Sequence, residues 1–265
     1  MLKHKEDFYG GVIVDGDALP SDAARFEAEL DASLESWRAT GKRGVWLKVP
    51  TQQSHLIPLA VARGFIFHHA EPSHAMLTNW LPDTPSTLPA NASHQVGVGA
   101  FVINSKREVL VVQERSGPLR GKGVWKMPTG LVSQGEDVVD AAVREVHEEC
   151  GIAAEFECVL AIRQMHRAAF GKSDLFFVLG CRAVDEAAEL VAQESEIEAC
   201  RWLPLEEYEK IEFFRGRPLY EEITRHCAAW ARGQAKGMHG ARLGTGRETD
   251  ELLFFPMDEE LQSNL

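Results

Sequence analysis

No apolar run among the 265 residues approaches the roughly 20 that cross a bilayer; the longest, CVLAI and LFFVLGC, stop far short. The lysines in the opening MLKHKEDFYGG are followed by no apolar stretch of the kind a secretory signal needs, so a cytoplasmic protein without a membrane partner is expected. Positive charge is also in short supply: 28 Lys and Arg face 40 Asp and Glu, for a formal net charge of −12. That balance excludes attachment to DNA, RNA or anionic lipid by bulk charge, and leaves open a phosphorylated small molecule held locally through a metal ion. Cysteine is scarce. Cys150, Cys158, Cys181, Cys200 and Cys227 are odd in number and contain no C-x-x-C, which argues for reduced thiols rather than a zinc knuckle or redox pair. With 45% hydrophobic and 26% charged residues, disorder, collagen and a small disulfide scaffold are excluded for the whole chain, and its length has room for two modest domains.

Proline punctuates the chain once in force. Residues 82–93 carry Pro82, Pro85 and Pro89 among small polar residues, and proline blocks both helix and ladder hydrogen bonds, so this stretch is expected to be a linker. Residues 1–81 before it are expected to form a small α+β domain. Its strands would be GVIVDGD, GVWLKVP and a pair within FIFHHAEPSHAMLTNWL turning at Glu71 and Pro72. A helix capped by Ser21 would bury Phe26, Leu30, Leu34 and Trp37, and a second would run from Ser54 to Arg63. Residues 94–232 are expected to form the second domain, with strands at VGVGAFVI, EVLVVQER, FECVLAIRQMHR, DLFFVLGCRA and EIEACRWLP. Helices are expected at Glu136–Cys150, PLEEYEKI and PLYEEITRHCAAWARG. Residues 233–265, Gly-rich and then acidic, read as a poorly packed tail.

The helix from Glu136 to Cys150 carries the chemistry. Val139, Ala142, Val143, Val146 and Cys150 fall on one stripe that must face a core, and Glu145, Glu148 and Glu149 gather within about a 100° arc beside it. Arg144 can pair with Glu148 four residues on. Glu145 has Ala141 four residues before it and the anion Glu149 four after, so helical spacing supplies it no cation. A divalent cation removes the conflict, and hard oxygen ligands suit Mg²⁺ or Mn²⁺ rather than zinc.

The stretch GLVSQGEDVVDAAVREVHEECGI resembles the Nudix box, G-x5-E-x7-R-E-U-x-E-E-x-G-U, with U a bulky aliphatic residue. Gly130, Glu136, Arg144, Glu145, Val146, Glu148, Glu149, Gly151 and Ile152 fill every specified position. The resemblance implies an α/β fold, an α/β/α sandwich with a mixed sheet, and hydrolysis of a nucleoside diphosphate linked to another group. It implies further that Glu145, Glu148 and Glu149 with the Gly130 carbonyl hold Mg²⁺ or Mn²⁺, that Arg144 orients the glutamates and that Glu136 supports them. The general base varies within the family between a box glutamate and a later acid, here Glu194 or Glu196. A wider likeness, through WKMPTG, RQMHRAAFGKSDLFFV and VARGFIFHHAEPSHAMLTNWLP, is to the plant and animal Nudix group acting on ADP-ribose and NADH. In that group the first domain is similar to part of an acetyltransferase fold, and a homodimer is a family-level expectation. The proline that follows the box in many ADP-ribose pyrophosphatases is Ala168 here.

Substrate contacts are expected from Arg115, Lys126 and Phe170, with Arg120 and Lys122 as further phosphate candidates and core packing for Phe176 and Phe177. GPLRGKG lacks the spacing and the Ser or Thr of a phosphate-binding P-loop. Among His68, His69 and His74, adjacent strand residues should point to opposite faces, which disfavours a shared metal site. The leading expectation is a Mg²⁺- or Mn²⁺-dependent pyrophosphatase acting on a small-molecule diphosphate, ADP-ribose or NADH before CoA, a nucleotide sugar or a prenyl diphosphate. The alternative from another class is a non-catalytic scaffold that binds a partner through its first domain.

Overall fold

The computed structural model describes residues 1–244 and 250–256. The chain divides into two compact units at Ser93 and His94.

In the first unit the strands are β1 (Lys5–Glu6), β2 (Val12–Val14), β3 (Gly44–Pro50), β4 (Ile66–Glu71) and β5 (His74–Trp80), joined in the order β1-β2-β3-β5-β4. Only β2 and β3 run parallel; the other pairs are antiparallel. Helix α1 (Ala23–Ala39) lies between β2 and β3 in the chain, as the crossover between two parallel strands requires. Its Phe26, Leu30, Leu34 and Trp37 bury against Val45, Leu47, Val49 and Leu77. The cap is Asp22 rather than Ser21: its carboxylate accepts the Arg25 N–H at 2.8 Å. The second helix is shorter than its sequence pattern, because residues 51–56 take tighter 3₁₀ turns and α2 spans only Ile57–Val61, with Pro58 in its first turn.

Residues 82–93 have no regular structure, yet they are anchored to the first unit. Leu88 fills the hollow over Gly44, where a β-carbon would stand 2.5 Å from Leu88 Cδ2. Arg43 donates to Thr87 Oγ1 at 3.3 Å and His68 Nε2–H donates to the Pro89 carbonyl at 3.0 Å. A register shift in β4 between Phe67 and His69 breaks the alternation expected of neighbouring strand residues, so His68 and His69 meet, Nδ1 to Nδ1, at 2.6 Å. The His74 ring is 6.1 Å from that of His69, and no metal-ligand group forms from the three.

Among the described residues the second unit has eight strands: β6 (His94–Ile103), β7 (Glu108–Glu114), β8 (Thr129–Leu131), β9 (Ala154–Met165), β10 (Ser173–Ala183), β11 (Ile197–Pro204), β12 (Met238–Leu243) and β13 (Glu251–Pro256). Their order is β11-β7-β6-β10-β9-β12-β13, with β8 added to β6, and the sheet is mixed because β6 and β10 are parallel. Alternate residues of one strand supply opposite cores. Val98, Ala100 and Val102 of β6 pack with helix α3 (Val138–Cys150), while Phe101 and Ile103 pack with α4 (Leu205–Tyr208) and α5 (Pro218–Ala231). The result is the expected α/β/α sandwich.

Two further departures from the sequence pattern have local causes. PLEEYEKI yields only the single turn of α4 before the chain breaks into turns. The stretch expected as a tail from residue 233 contributes β12 and β13, which pair antiparallel with each other while Met238 of β12 reaches Val159 of β9. Phe254 of β13 packs against Phe156 and Phe177. Residues 257–265 of that stretch lie outside the described residues.

Candidate active site

Helix α3 is fastened by its apolar stripe, Ala141, Ala142, Val146 and Cys150 fully buried, with Val139 and Val143 only partly covered. It ends at Gly151, whose φ of 73° suits the left-handed cap that follows a helix. At its start Asp137 occupies the cap position without capping, because Arg242 of β12 draws its carboxylate to 2.9 Å and that of Asp140 to 2.6 Å. The packed stripe then sets the exposure of the three glutamates: Glu148 faces solvent, Glu145 is mostly covered and Glu149 is 6% exposed.

Arg144 gathers the loop ahead of the helix. Its Nε and Nη2 donate to the two Glu136 oxygens at 2.7 and 3.0 Å, and Nη2 also to the Leu131 carbonyl at 3.0 Å. Its Nη1 donates to Glu145 Oε1 at 2.8 Å and to Glu148 Oε2 at 3.1 Å. Spacing by four residues had left Glu145 without a cation; the long Arg144 side chain reaches its immediate neighbour instead. The guanidinium, with the Ser133 N–H, holds the Glu136 carboxyl down at about 2.

β8 runs beside α3, paired to β6 through Gly97–Leu131, Val98–Gly130 and Gly99–Thr129. The missing side chain of Gly130 makes room for Glu145: a β-carbon would stand 1.9 Å from Glu145 Cδ and Oε1, so the Glu145 carboxylate lies directly on the strand backbone. Beside it, Glu149 Oε2 is buried without a hydrogen-bond partner. Burial pushes the Glu149 carboxyl up to about 7, against the pull of Lys126 and with a further push from Glu145 and Glu114. Lys126 itself is engaged, 3.0 Å from Glu114 Oε1 and donating to Thr129 Oγ1 at 2.6 Å.

The carboxylates of Glu145, Glu148 and Glu149, the last with one buried oxygen that has no hydrogen-bond partner, are hard anionic donors, a chemistry that fits a small divalent cation better than a soft metal. Among the described residues, however, no three His, Cys, Asp or Glu side chains converge as a ready ligand group, since Glu145 and Glu148 are drawn to Arg144. Glu114, Lys126 and Thr129, which surround Glu149, also line a cavity of about 230 Å³ whose remaining walls include Arg163, Phe176, Phe213, Phe214 and Tyr220.

Several residues singled out from sequence lie elsewhere. Glu194 and Glu196 are exposed and line no part of this cavity; the Glu196 carbonyl accepts the Arg115 N–H, and Arg115 Nη2 reaches the Ile197 carbonyl at 3.5 Å. Arg120 and Lys122 are exposed, and of their loop only Leu119 reaches the cavity wall. Phe170 is 97% exposed, whereas Phe176 packs against the core as expected and also forms part of the wall. Glu114, Thr129, Arg163 and the aromatic wall escaped sequence reasoning. For Glu114 the sequence carried no signal: it lies two residues from Val112, whose bridge to Lys126 only the folded pairing reveals.

Comparison with known proteins covers both units. Residues 2–81 match the model described as a Nudix hydrolase domain, and residues 93–227 match the NUDIX domain. Nudix hydrolase 2 of Arabidopsis thaliana is 46% identical over 258 residues, covering 97% of this chain and 92% of that protein. Nudix hydrolase 6 of the same plant is 48% identical over 229 residues, 86% of this chain and 80% of that protein. The human protein named nucleoside diphosphate-linked moiety X motif 6 is 44% identical over 231 residues, 84% of this chain and 71% of its own length. Likeness that runs through both units, and is not confined to the stretch around α3, means that this chain belongs to the Nudix hydrolase family.

Proposed function

We propose that this chain is a divalent-metal-dependent pyrophosphatase that cleaves ADP-ribose or NADH at the phosphoanhydride bond, releasing two monophosphates. The observation that carries the reading is the pairing of a Glu145 carboxylate laid on the Gly130 backbone with an unpartnered, buried Glu149 oxygen, beside residues that open on a cavity. A buried carboxylate with one oxygen lacking any donor is costly unless a cation comes to it.

Glu145, Glu148, Glu149 and the Gly130 carbonyl would hold Mg²⁺ or Mn²⁺. Such ions neutralise charge on diphosphate oxygens and acidify water for attack on phosphorus. Arg144 orients Glu145 and Glu148 and secures the loop through Glu136. Lys126 adds positive charge at the cavity wall while its bonds to Glu114 and Thr129 fix its position. With Glu196 on the surface, proton acceptance from attacking water falls to a carboxylate of the box, and Glu149 is the one most shielded from solvent.

The test incubates the full chain with ADP-ribose, NADH, CoA, nucleotide sugars and geranyl diphosphate, each with Mg²⁺ and with Mn²⁺, and separates the products. AMP with ribose 5-phosphate, or AMP with reduced nicotinamide mononucleotide, is the expected outcome, and Glu148→Gln should remove nearly all of it. Intact substrate across the panel would leave the scaffold reading in its place.

A further inference from the structure

The last two strands reach back to the start of α3. β12 and β13 lie beyond the stretch that matches the NUDIX domain, which ends at residue 227. Among the described residues, β12 pairs with β9 through Met238 and Val159 alone, and close packing does the rest. A β-carbon on Gly237 would stand 2.5 Å from Cys158 Sγ, and one on Gly240 would stand 3.0 Å from Phe254 and 3.1 Å from Phe156. Phe254 meets Phe156 and Phe177, which pack on the same core as Ala141, Ala142 and Val146 of α3. The hairpin is therefore seated on the α3 side of the sheet.

From there Arg242 spans to the helix. Its Nε donates to Asp137 Oδ2 at 3.0 Å and its Nη2 to Asp140 Oδ2 at 2.6 Å. All three side chains are well exposed, so as an ion pair the contact contributes little to stability. It also runs against local preference. A carboxylate at the cap position ordinarily accepts an N–H of the first turn, as Asp22 does for α1, whereas Asp137 is turned away to Arg242. A local rule broken without a gain in stability points to function.

The place of the contact says which function. Asp137 directly follows Glu136, which Arg144 and the Ser133 N–H already hold. The far end of α3 is tied separately, by the Val191 N–H to the Cys150 carbonyl at 2.9 Å and the Gln193 N–H to the Glu149 carbonyl at 3.2 Å. A helix held at both ends keeps its rotation over β8, and that rotation sets where the Glu145 carboxylate lies on the Gly130 backbone.

We propose that Arg242 is a positioning residue for the hydrolysis: through Asp137 and Asp140 it fixes the start of α3, and so the seat of Glu145 against Gly130. The proposal rests on metal-assisted hydrolysis at this helix, and it has a signature of its own in protein without metal.

Arg242→Met, the pair Asp137→Ala with Asp140→Ala, and all three together form a double-mutant cycle in the full chain. Arg225→Met, which breaks an exposed pair with Glu222 on α5, removes the same charge elsewhere and is the control. Each protein is measured for amide exchange across residues 131–140 after chelation, for Mn²⁺ affinity by calorimetry, and for kcat and KM on whichever panel substrate is cleaved. Arg242→Met should quicken exchange by about ten-fold and weaken Mn²⁺ by about five-fold, with the urea midpoint in place. Its kcat should fall by about ten-fold while KM stays within about two-fold. The combined variant should be no worse than either arm, and Arg242→Lys, able to hold one carboxylate, should recover part of each loss. Unchanged exchange in Arg242→Met, losses that add in the combined variant, or losses matched by Arg225→Met would each overturn the assignment. So would quickened exchange with Mn²⁺ affinity and kcat intact, the mark of a merely structural tie. If exchange and Mn²⁺ affinity follow the cycle while every substrate stays whole, the anchoring of α3 stands and the proposed activity fails.

Discussion

Replacing Glu149 with Gln in protein stripped of metal by a chelator offers a measurement of how far the site is desolvated. Burial raises this carboxyl from 4.5 to about 7, so the folded state resists its ionisation and the unfolded chain does not. The sign is opposite to that of a salt-bridged acid. Wild-type stability carries no penalty below about pH 4.5, loses ground as pH rises from there to 7, and then levels off. The penalty at pH 8 amounts to about 3 kcal/mol, from two and a half pH units at roughly 1.4 kcal/mol each. Glutamine does not titrate. The stability of Glu149→Gln relative to wild type should therefore climb by about 3 kcal/mol between pH 4 and pH 8, several degrees in melting temperature for a domain of this size. Urea unfolding at a series of pH values reads the difference, in which any constant cost of the amide cancels. Saturating Mg²⁺ or Mn²⁺ should restore wild-type stability at pH 8 and do much less for the variant. A difference that stays flat from pH 4 to pH 8 would refute the desolvated carboxylate, and with it the physical reason for a cation at this place.

Gly130→Ala should separate activity from folding. Its new methyl collides with the end of the Glu145 side chain, which can swing away, so urea unfolding should shift by no more than about 1–2 kcal/mol while kcat falls by about a hundred-fold. Arg144→Met releases the Glu136 carboxyl that the guanidinium holds at about 2. The stability which wild type keeps above pH 4.5 and loses as pH falls toward 2 should vanish from the variant's acid-unfolding curve. Gly44→Ala drives a methyl against Leu88, and amide exchange across residues 82–93 should quicken while β3 stays protected.

The sequence alone determined helix α3 and the box it carries. Its apolar stripe, the glycine that ends it and the clustered glutamates are local properties of one 3.6-residue period, and no distant residue can alter that spacing. The main strands were legible for the same reason. GVWLKVP became β3 at both ends as read, because alternation and bounding glycine and proline are written in consecutive residues. Where local signals competed, they misled: Asp22 took the cap from Ser21, and the register shift in β4 brought two neighbouring histidines together.

Tertiary structure decided what faces the site. Arg115 and Glu114 are neighbours in the sequence, but strand pairing places the carboxylate beside Lys126 and ties the arginine to the β11 backbone. Phe170 was expected at the substrate and Phe176 in the core, but Phe170 lies exposed, while the pairing of β6 with β10 lays the Phe176 ring on the glycines of β6. The final stretch looked like a tail, and what makes it part of the sheet is distant in sequence: β12 and β13 pair with each other, and Met238 against Val159 and Phe254 against Phe156 and Phe177 fasten them. A side chain's chemistry is set by its own atoms, whereas its burial, its partner and its access to a substrate belong to contacts between segments far apart in the chain.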